Sequence, residues 1–268
     1  PEAVVQTGAR ILRLLVALAA GNEKKEDPTA YSPEAIVQET GAPIPPLIVD
    51  RTAESKPSDT IAQTLQKAWA PDHPQSADLL NTVLILYADH ELNASTFTAR
   101  CAASTGATPY AAVNAGLSAL SGPKHGTASQ NIEALLREIE SQENVRPALI
   151  DRLQRGEAIY GFGHAIYTDV DPRARLLFDQ IQNVYPDSPH VALTRTIIEE
   201  THRLKSFRYN IDLPLVTLAR ILNFPPGRTP ALFALGRTVG WIGHILEQYK
   251  TNRLIRPRAR YVGPQPST

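Results

Sequence analysis

Three features of the sequence predict an all-α chain. Apolar residues recur at spacings of three and four through most of its length. Prolines stand repeatedly where a first helical turn would begin, as at Pro33, Pro109, Pro172, Pro189, Pro214 and Pro230, positions where a missing N–H costs little. No run alternates apolar and polar residues as a half-buried strand does, and there is no internal repeat.

Residues 1–20 read as a helix. Arg13 interrupts its apolar run 11–20, and that run is too short to cross a membrane, so a core helix is expected rather than a signal-peptide core. Residues 21–30 form a polar linker, and Ser32-Pro33 opens a short helix by the cap-then-proline rule. Residues 41–60 hold four prolines and read as an extended loop. A long helix is expected over about 76–101, with Leu79, Leu80, Val83, Leu84 and Leu86 at helical spacing. Thr108-Pro109 starts the next helix and Gly122-Pro123 ends it. Another follows His125 and carries Ile132, Leu135, Leu136 and Ile139. Residues 143–159 read as a shorter helix plus turn. Pro172 starts a helix through Leu176, Leu177, Phe178 and Ile181, and Pro189 one through Val191, Leu193 and Ile197. Pro214 starts one ending near Asn223. Pro230, capped by Thr229, starts one through Phe233, Leu235, Val239, Trp241, Ile242, Ile245 and Leu246.

A length of 268 residues allows one large domain or two modest ones, and 43% hydrophobic residues suffice for a sizeable core. The 27 basic and 27 acidic residues balance, so nothing global steers the chain to nucleic acid or membrane. A single cysteine, Cys101, excludes an internal disulfide framework and a multi-cysteine metal site, and it suits a reducing cytoplasm. Cys101 reads as a small buried hydrophobe. Methionine is absent even at position 1, so the chain is expected to have lost its initiator or been trimmed. Asn93-Ala-Ser95 matches a glycosylation sequon, but nothing else points to secretion. There is no His-Glu-x-x-His helix, no phosphate loop ending in Lys-Ser/Thr and no Gly-x-Ser-x-Gly. Gly161-x-Gly163 lacks the third glycine and the preceding strand of a dinucleotide fingerprint.

The residues that can carry chemistry cluster around glycine and aspartate. In Gly161-Phe-Gly-His-Ala-Ile-Tyr-Thr-Asp-Val-Asp-Pro-Arg173, two glycines permit close approach or positive φ, His164 can move a proton near neutral pH, and Arg173 can grip a carboxylate with two parallel bonds. Together they suggest a small acidic substrate; taken alone, a surface turn with an incidental histidine fits as well. His90, Asn93 and Thr96 are expected on one helical turn. Gly122-Pro-Lys-His-Gly126 puts His125 at a helix start, whose positive end keeps the imidazole neutral and donating. Asp212, just before Pro214, reads as a helix cap or as a base. Arg237 lies in an apolar helix, where it needs an anionic partner or must snorkel to water. Arg253, Arg256, Arg258 and Arg260 crowd the tail; overall neutrality and the lack of interleaved aromatics weigh against a nucleic-acid patch.

Taken together, seven segments resemble the citrate synthase family: Asp-His-Glu-Leu-Asn-Ala-Ser-Thr (89–96), Gly-Pro-Lys-His-Gly (122–126), Gly-Phe-Gly-His (161–164), Asp-Pro-Arg (171–173), Asn-Ile-Asp (210–212), Arg-Thr-Val-Gly-Trp-Ile-Gly-His (237–244) and Arg-Pro-Arg-Ala-Arg-Tyr-Val-Gly (256–263). They keep the family's order and cover the chain from about residue 76 to its end. The resemblance implies an all-helical homodimer whose cleft closes on oxaloacetate and acetyl-CoA, the latter a co-substrate, with no permanent cofactor and no metal. The large domain would take 1–125 and 222–268 and the small domain 126–221. Asp212 would be the base, His125 the neutral donor to the enol or enolate, and His164 the group that polarises and protonates the ketone. His90, Arg173 and Arg237 would bind substrate carboxylates, with Asn93 beside the first histidine. Arg256 would reach in from the partner subunit. The acyl-CoA segment would lie along Ala158, Ile159, Gly161, Phe162 and Gly163.

The chain departs from the family pattern in four places. Only 88 residues precede the first segment, so several N-terminal helices are expected to be missing. Lys124 replaces a commoner apolar residue, Thr127-Ala-Ser replaces a small-residue run, and Ala165 stands where many bacterial members have arginine, which alters the grip on the CoA phosphates. Propionyl-CoA in place of acetyl-CoA, or a shortened non-catalytic paralogue that binds ligand or a longer subunit, are the alternatives.

Overall fold

The computed structural model of the chain describes residues 2–21, 59–126, 128–225, 227–260 and 262–263. The helix expected at Ser32-Pro33 and most of the expected loop at 41–60 lie outside these. Among the described residues there are eleven α-helices: α1 (Glu2–Gly21), α2 (Ile61–Trp69), α3 (Ala77–Tyr87), α4 (Ala94–Ser104), α5 (Pro109–Leu120), α6 (Ala128–Ile139), α7 (Val145–Gln154), α8 (Pro172–Val184), α9 (Pro189–Lys205), α10 (Asp212–Ile221) and α11 (Arg228–Thr251). Short 3₁₀ turns occupy Pro74–Ser76 and Gln142–Asn144. No strand occurs among the described residues, only an isolated antiparallel bridge between Phe162 and Tyr209. The expected all-α class is therefore observed.

The apolar spacing read from the sequence resolves into two clusters. The first joins Ile11 of α1, Leu65 and Trp69 of α2, Leu80 and Val83 of α3, Val113 of α5, Leu177 and Ile181 of α8, and Leu232, Trp241 and Ile245 of α11. The second joins Ile132, Leu136 and Ile139 of α6, Val145 and Leu149 of α7, Leu193 and Ile197 of α9, and Leu213 and Val216 of α10. Each such side chain contributes roughly 1.5–3 kcal/mol when fully buried. Helix α10 faces both clusters, since Leu215 and Leu218 belong to the first. Its first residue is therefore set where the two bodies of packing meet.

Helix α1 is long and apolar enough to cross a membrane by length and composition. The helix is thus longer than the apolar run 11–20 that was expected to be too short to span; within the fold it buries Gly8, Ile11 and Val16, and 17% of its apolar window is covered. Its last turn is tied down as well: the Ala19 carbonyl accepts from Trp69 Nε1 at 2.9 Å and from the Arg228 guanidinium at 2.6 Å, satisfying one of the carbonyls that a helix end leaves free.

Three expected boundaries are corrected. The helix expected over 76–101 is two helices, broken at 88–93. There Glu91 takes φ 55° and Asn93 turns to φ −65°, ψ 171°, so that its side chain caps α4 by accepting from the Thr96 N–H. His90, Asn93 and Thr96 thus do not share a helical turn; His90 lies in the break. Helix α10 begins at Asp212, two residues before Pro214. Helix α11 begins at Arg228 behind Gly227 at φ 86°, so Thr229 is not its cap. Helix α2 was not foreseen, although Thr60 and Gln63 form a reciprocal capping box at its start. Cys101 is partly rather than fully buried.

Candidate active site

The break between α3 and α4 is the first wall of the site. Helix α11 crosses it closely because Gly240 has no side chain; a Cβ there would lie 2.0 Å from the Ala88 carbonyl oxygen. That crossing brings Arg237, three residues earlier on α11, beneath the end of α3, where its Nε donates to the Tyr87 carbonyl at 2.8 Å. Arg237 is 2% exposed, so it does not snorkel to water. Its guanidinium lies 5.2 Å from the Phe233 ring centroid, forms no ion pair among the described residues, and leaves Nη1 buried without a hydrogen bond. Burial drives its pKa down to about 10, only partly offset by Asp89 at a distance, so it remains a cation at neutral pH.

The second wall is the segment 161–173. Gly161 and Gly163 take φ 86° and 81°, conformations that side-chain-bearing residues resist. Their backbone is pinned to 208–210: Gly163 N–H donates to the Arg208 carbonyl at 2.8 Å, Asn210 N–H to the Gly161 carbonyl at 2.9 Å, and the Asn210 amide to the Gly163 carbonyl at 3.0 Å. His164 follows directly. Its Nδ1 accepts from the Ile166 and Tyr167 N–H groups at 3.0 and 3.4 Å, which leaves the ring proton of neutral His164 on Nε2. At the end of the segment Asp171 caps α8, accepting from the Arg173 N–H at 3.0 Å. Its carboxylate also takes two bonds from the Arg173 side chain, at 3.0 and 2.8 Å, and one from the Ile211 N–H at 3.3 Å. Burial alone would push Asp171 up, but those bonds and the Arg173 charge outweigh it and hold the carboxyl below its ordinary range.

These walls meet. The His90 and His164 rings pack edge to face at 5.2 Å, and Tyr167 lies 4.7 Å from His164 with its hydroxyl 3.2 Å from His90 Nε2. Tyr167 also carries the Arg173 guanidinium at 5.8 Å from its ring centroid. On the other side His125 packs edge to face on Phe233 at 5.9 Å, Phe233 packs on Tyr87 at 4.6 Å, and the Tyr87 hydroxyl donates to Asp212 Oδ1 at 2.8 Å. Asp212 is thus not a cap; its side chain faces Tyr87 rather than the free N–H groups of α10. Burial raises its pKa, against the lowering pull of Tyr87 and of the Arg173 charge. His90 and His125 are both lowered, first by burial; Arg173 and then His164 and Arg237 add to this for His90, and Arg237 for His125. His125 lies in the turn before α6 and not in its first turn, so the neutrality expected from a helix end comes instead from burial and a neighbouring guanidinium.

His90, His125, His164, Arg173, Asp212 and Arg237 are therefore joined by one chain of contacts. Asn93 supports them from the α4 cap, its amide 3.4 Å from the His90 carbonyl. Arg256 is exposed in the segment after α11 and makes no hydrogen bond or ion pair among the described residues. Of the segment expected to meet acyl-CoA, Ile159 and Gly161 are buried, Phe162 is half-buried, and Ala158 and Gly163 are exposed. Several residues of the site were not singled out from the sequence. Ser95 Oγ bonds Asn93 Oδ1 at 2.9 Å and lies 2.8 Å from His125 Nε2, with Trp241 Nε1 donating to it at 3.3 Å. Tyr87, Phe233 and Tyr167 are the others. Ser95 and Tyr167 carried a signal, their places inside the segments 89–96 and 161–173.

An all-helical scaffold that gathers imidazoles, guanidiniums and a carboxylate at one half-buried point defines an anion-handling protein with acid–base groups at hand. The comparisons with known proteins make this specific: the chain belongs to the citrate synthase family, whose C-terminal domain description matches residues 8–258. It is 39% identical over 194 residues to citrate synthase 2 of Bacillus subtilis (strain 168), covering 71% of this chain and 52% of that protein. Among solved structures it resembles the citrate synthase of Thermotoga maritima MSB8 with a TM-score of 0.69 and 34% identity, covering 78% of this chain and 59% of that one. It also resembles the citrate synthase of Thermoplasma acidophilum in a ternary complex with carboxymethyl coenzyme A and oxaloacetate, with a TM-score of 0.70 and 27% identity, covering 100% of this chain and 78% of that one. The chain thus spans about half the length of the Bacillus relative.

Proposed function

We infer that the chain condenses acetyl-CoA with oxaloacetate and hydrolyses the resulting thioester to citrate and CoA. The observation that carries this is Arg237, a fully buried cation with no carboxylate of its own, set among two neutral imidazoles. Such a group is costly unless a ligand supplies the missing anion.

In this reading Arg173, Arg237 and His90 bind the carboxylates of oxaloacetate, with Asn93 beside them. The Asp212 carboxylate takes a proton from the methyl carbon of the thioester, and the C–H electron pair moves into an enolate. Aspartate is far too weak a base for this alone, so the oxygen must be met by a fixed donor. His125 fills that role in the tautomer that carries its proton on Nδ1, which requires the Ser95 hydroxyl to turn its one proton from Asn93 Oδ1 to His125 Nε2. The enolate carbon attacks the ketone carbon of oxaloacetate, and the ketone oxygen takes the Nε2 proton of His164. Water then cleaves the thioester.

The backbone of 158–163 is the proposed meeting place for the coenzyme, and its exposed Ala158 and Gly163 support this. A homodimer in which Arg256 serves the neighbour's site is supported by that arginine's exposure and its lack of partners among the described residues. The division into 1–125 with 222–268 and 126–221 draws support from the second apolar cluster, which lies wholly within the middle segment. Placement in the cytoplasm rests on the lone cysteine.

Thiol release from acetyl-CoA in the presence of oxaloacetate tests the reading, run beside propionyl-CoA to settle the acyl group. Asp212→Ala should lower it by about 10³-fold, within the span of general acid–base catalysis. The second reading is a paralogue that binds ligand or another subunit without turnover. Folded protein that binds oxaloacetate yet releases no thiol would select it.

A further inference from the structure

A cavity of about 670 Å³ lies apart from the residues above. Three helices open onto it with their N-terminal turns: α6 through Ser129 and Gln130, α9 through His190, and α11 through Thr229 and Pro230. Ser188 before α9 makes no side-chain cap bond and Gly227 before α11 has no side chain to make one, so neither helix start is capped by a side chain. Two further groups point to a ligand. Ser129 is 6% exposed and its hydroxyl has no hydrogen-bond partner among the described residues. Arg220, in the last turn of α10, likewise has Nη1 buried without a partner and forms no ion pair among them. Orphaned buried polar atoms are costly, and a bound group that pairs with them recovers that cost. Arg220 and Arg137 face one lining acid, Glu133, while burial and then the Arg220 charge push the His190 imidazole below its ordinary value. The balance of fixed charge is therefore positive.

We propose that this cavity binds the oxyanion, phosphate or carboxylate, of a small metabolite. Arg220 is its principal charge partner, Ser129 and the three helix ends are its further donors, and Phe224 and Pro225 lie against its organic part. The volume is that of a small-molecule site and exceeds what a bare ion fills. The site stands independently of the condensation chemistry, because none of its groups is used there.

Calorimetric titration of the 268-residue chain with inorganic phosphate, and separately with succinate, tests this. Saturable binding by either probe is expected, and which probe binds identifies the source of the oxyanion. Arg220→Gln should weaken it about tenfold or more, the loss of one charged hydrogen bond. Glu133→Gln should tighten it about threefold by removing a like charge, a gain that misfolding cannot imitate. Arg173→Gln should leave phosphate binding unchanged and remove from the succinate titration only what the first site binds. Absence of saturable binding by both probes would overturn the proposal. So would binding that Arg173→Gln removes while Arg220→Gln and Glu133→Gln leave it untouched.

Discussion

Arg173 and Arg237 approach the same site from opposite walls, and what neutralises each differs. Arg173 is held by Asp171, two residues before it, through two side-chain bonds, with that carboxylate fully buried. Arg237 has a backbone carbonyl and an aromatic ring but no acid within ion-pair distance among the described residues. One wall is therefore internally balanced and the other carries an unspent positive charge. The difference separates stability from function. A balanced pair holds the segment 161–173 in shape whether or not a ligand is bound, whereas the unbalanced guanidinium favours the fold less and a bound dianion more.

Of the two walls, the larger effect on activity should come from the unbalanced one. Arg237→Met keeps the volume and removes the charge. Truncating a buried contact to a charged group costs about 2–5 kcal/mol. Steady-state kinetics should therefore show kcat/KM for oxaloacetate falling by about a hundredfold or more. The thermal midpoint without ligand should stay within about 2 °C of the parent, because the lost bond to Tyr87 O is offset by relief of an unpaired buried cation. A large fall in that midpoint would break the comparison. Arg173→Gln should behave in the opposite way as to stability. It strands Asp171 in the interior, and breaking a buried pair costs about 3 kcal/mol at the low end, or about 6 °C in a chain of this size. The pH dependence sharpens this. The folded pKa of Asp171 is depressed, so its contribution is present above the unfolded value of about 3.9 and is lost as pH falls through the folded value. Thermal midpoints of the parent and Arg173→Gln should converge below about pH 4 and differ most at neutral pH.

Much of this was legible in the sequence, and the reasons are local. Helices α5, α8 and α9 announce themselves by a proline in the first turn, because proline's missing N–H and fixed φ suit that place alone in a helix. Arg237 was suspect because a cation in an apolar helix must be matched by something. The break at 88–93 falls where Asp89, His90, Glu91 and Asn93 interrupt the apolar spacing, which ends at Leu86. Its cause is Asn93 acting as a cap and the close crossing of Gly240, and a crossing is tertiary information that no local window contains. Tyr87 and Phe233 were unreadable for a related reason. Within a core helix an aromatic reads as apolar filling, and only the fold shows that Tyr87 points its hydroxyl at Asp212. His125 was correctly expected to be neutral, but the expected helix end is not what makes it so.

The smallest effect should come from Tyr87, whose hydroxyl holds Asp212 where the two walls join. The Asp212 carboxyl is raised by burial and relieved by Tyr87 and by the Arg173 charge. Because Asp171 already claims most of Arg173, Asp212 receives only what remains, which leaves it a stronger base than a paired aspartate would be. Tyr87→Phe removes the hydrogen bond that favours the ionised form. A bond of this kind is worth about 1 kcal/mol, somewhat under one pKa unit. The acid limb of the pH–rate profile should therefore move up by about half a unit, with little change on the alkaline plateau. Stability should shift with the same sign. A carboxyl whose folded pKa is raised stabilises the fold below its unfolded value and loses that contribution as pH rises through the folded one. Tyr87→Phe should then melt below the parent at neutral pH, and the gap should close in acid. An acid limb that stays in place, or moves down, would mean that Asp212 is not the base whose ionisation limits the rate.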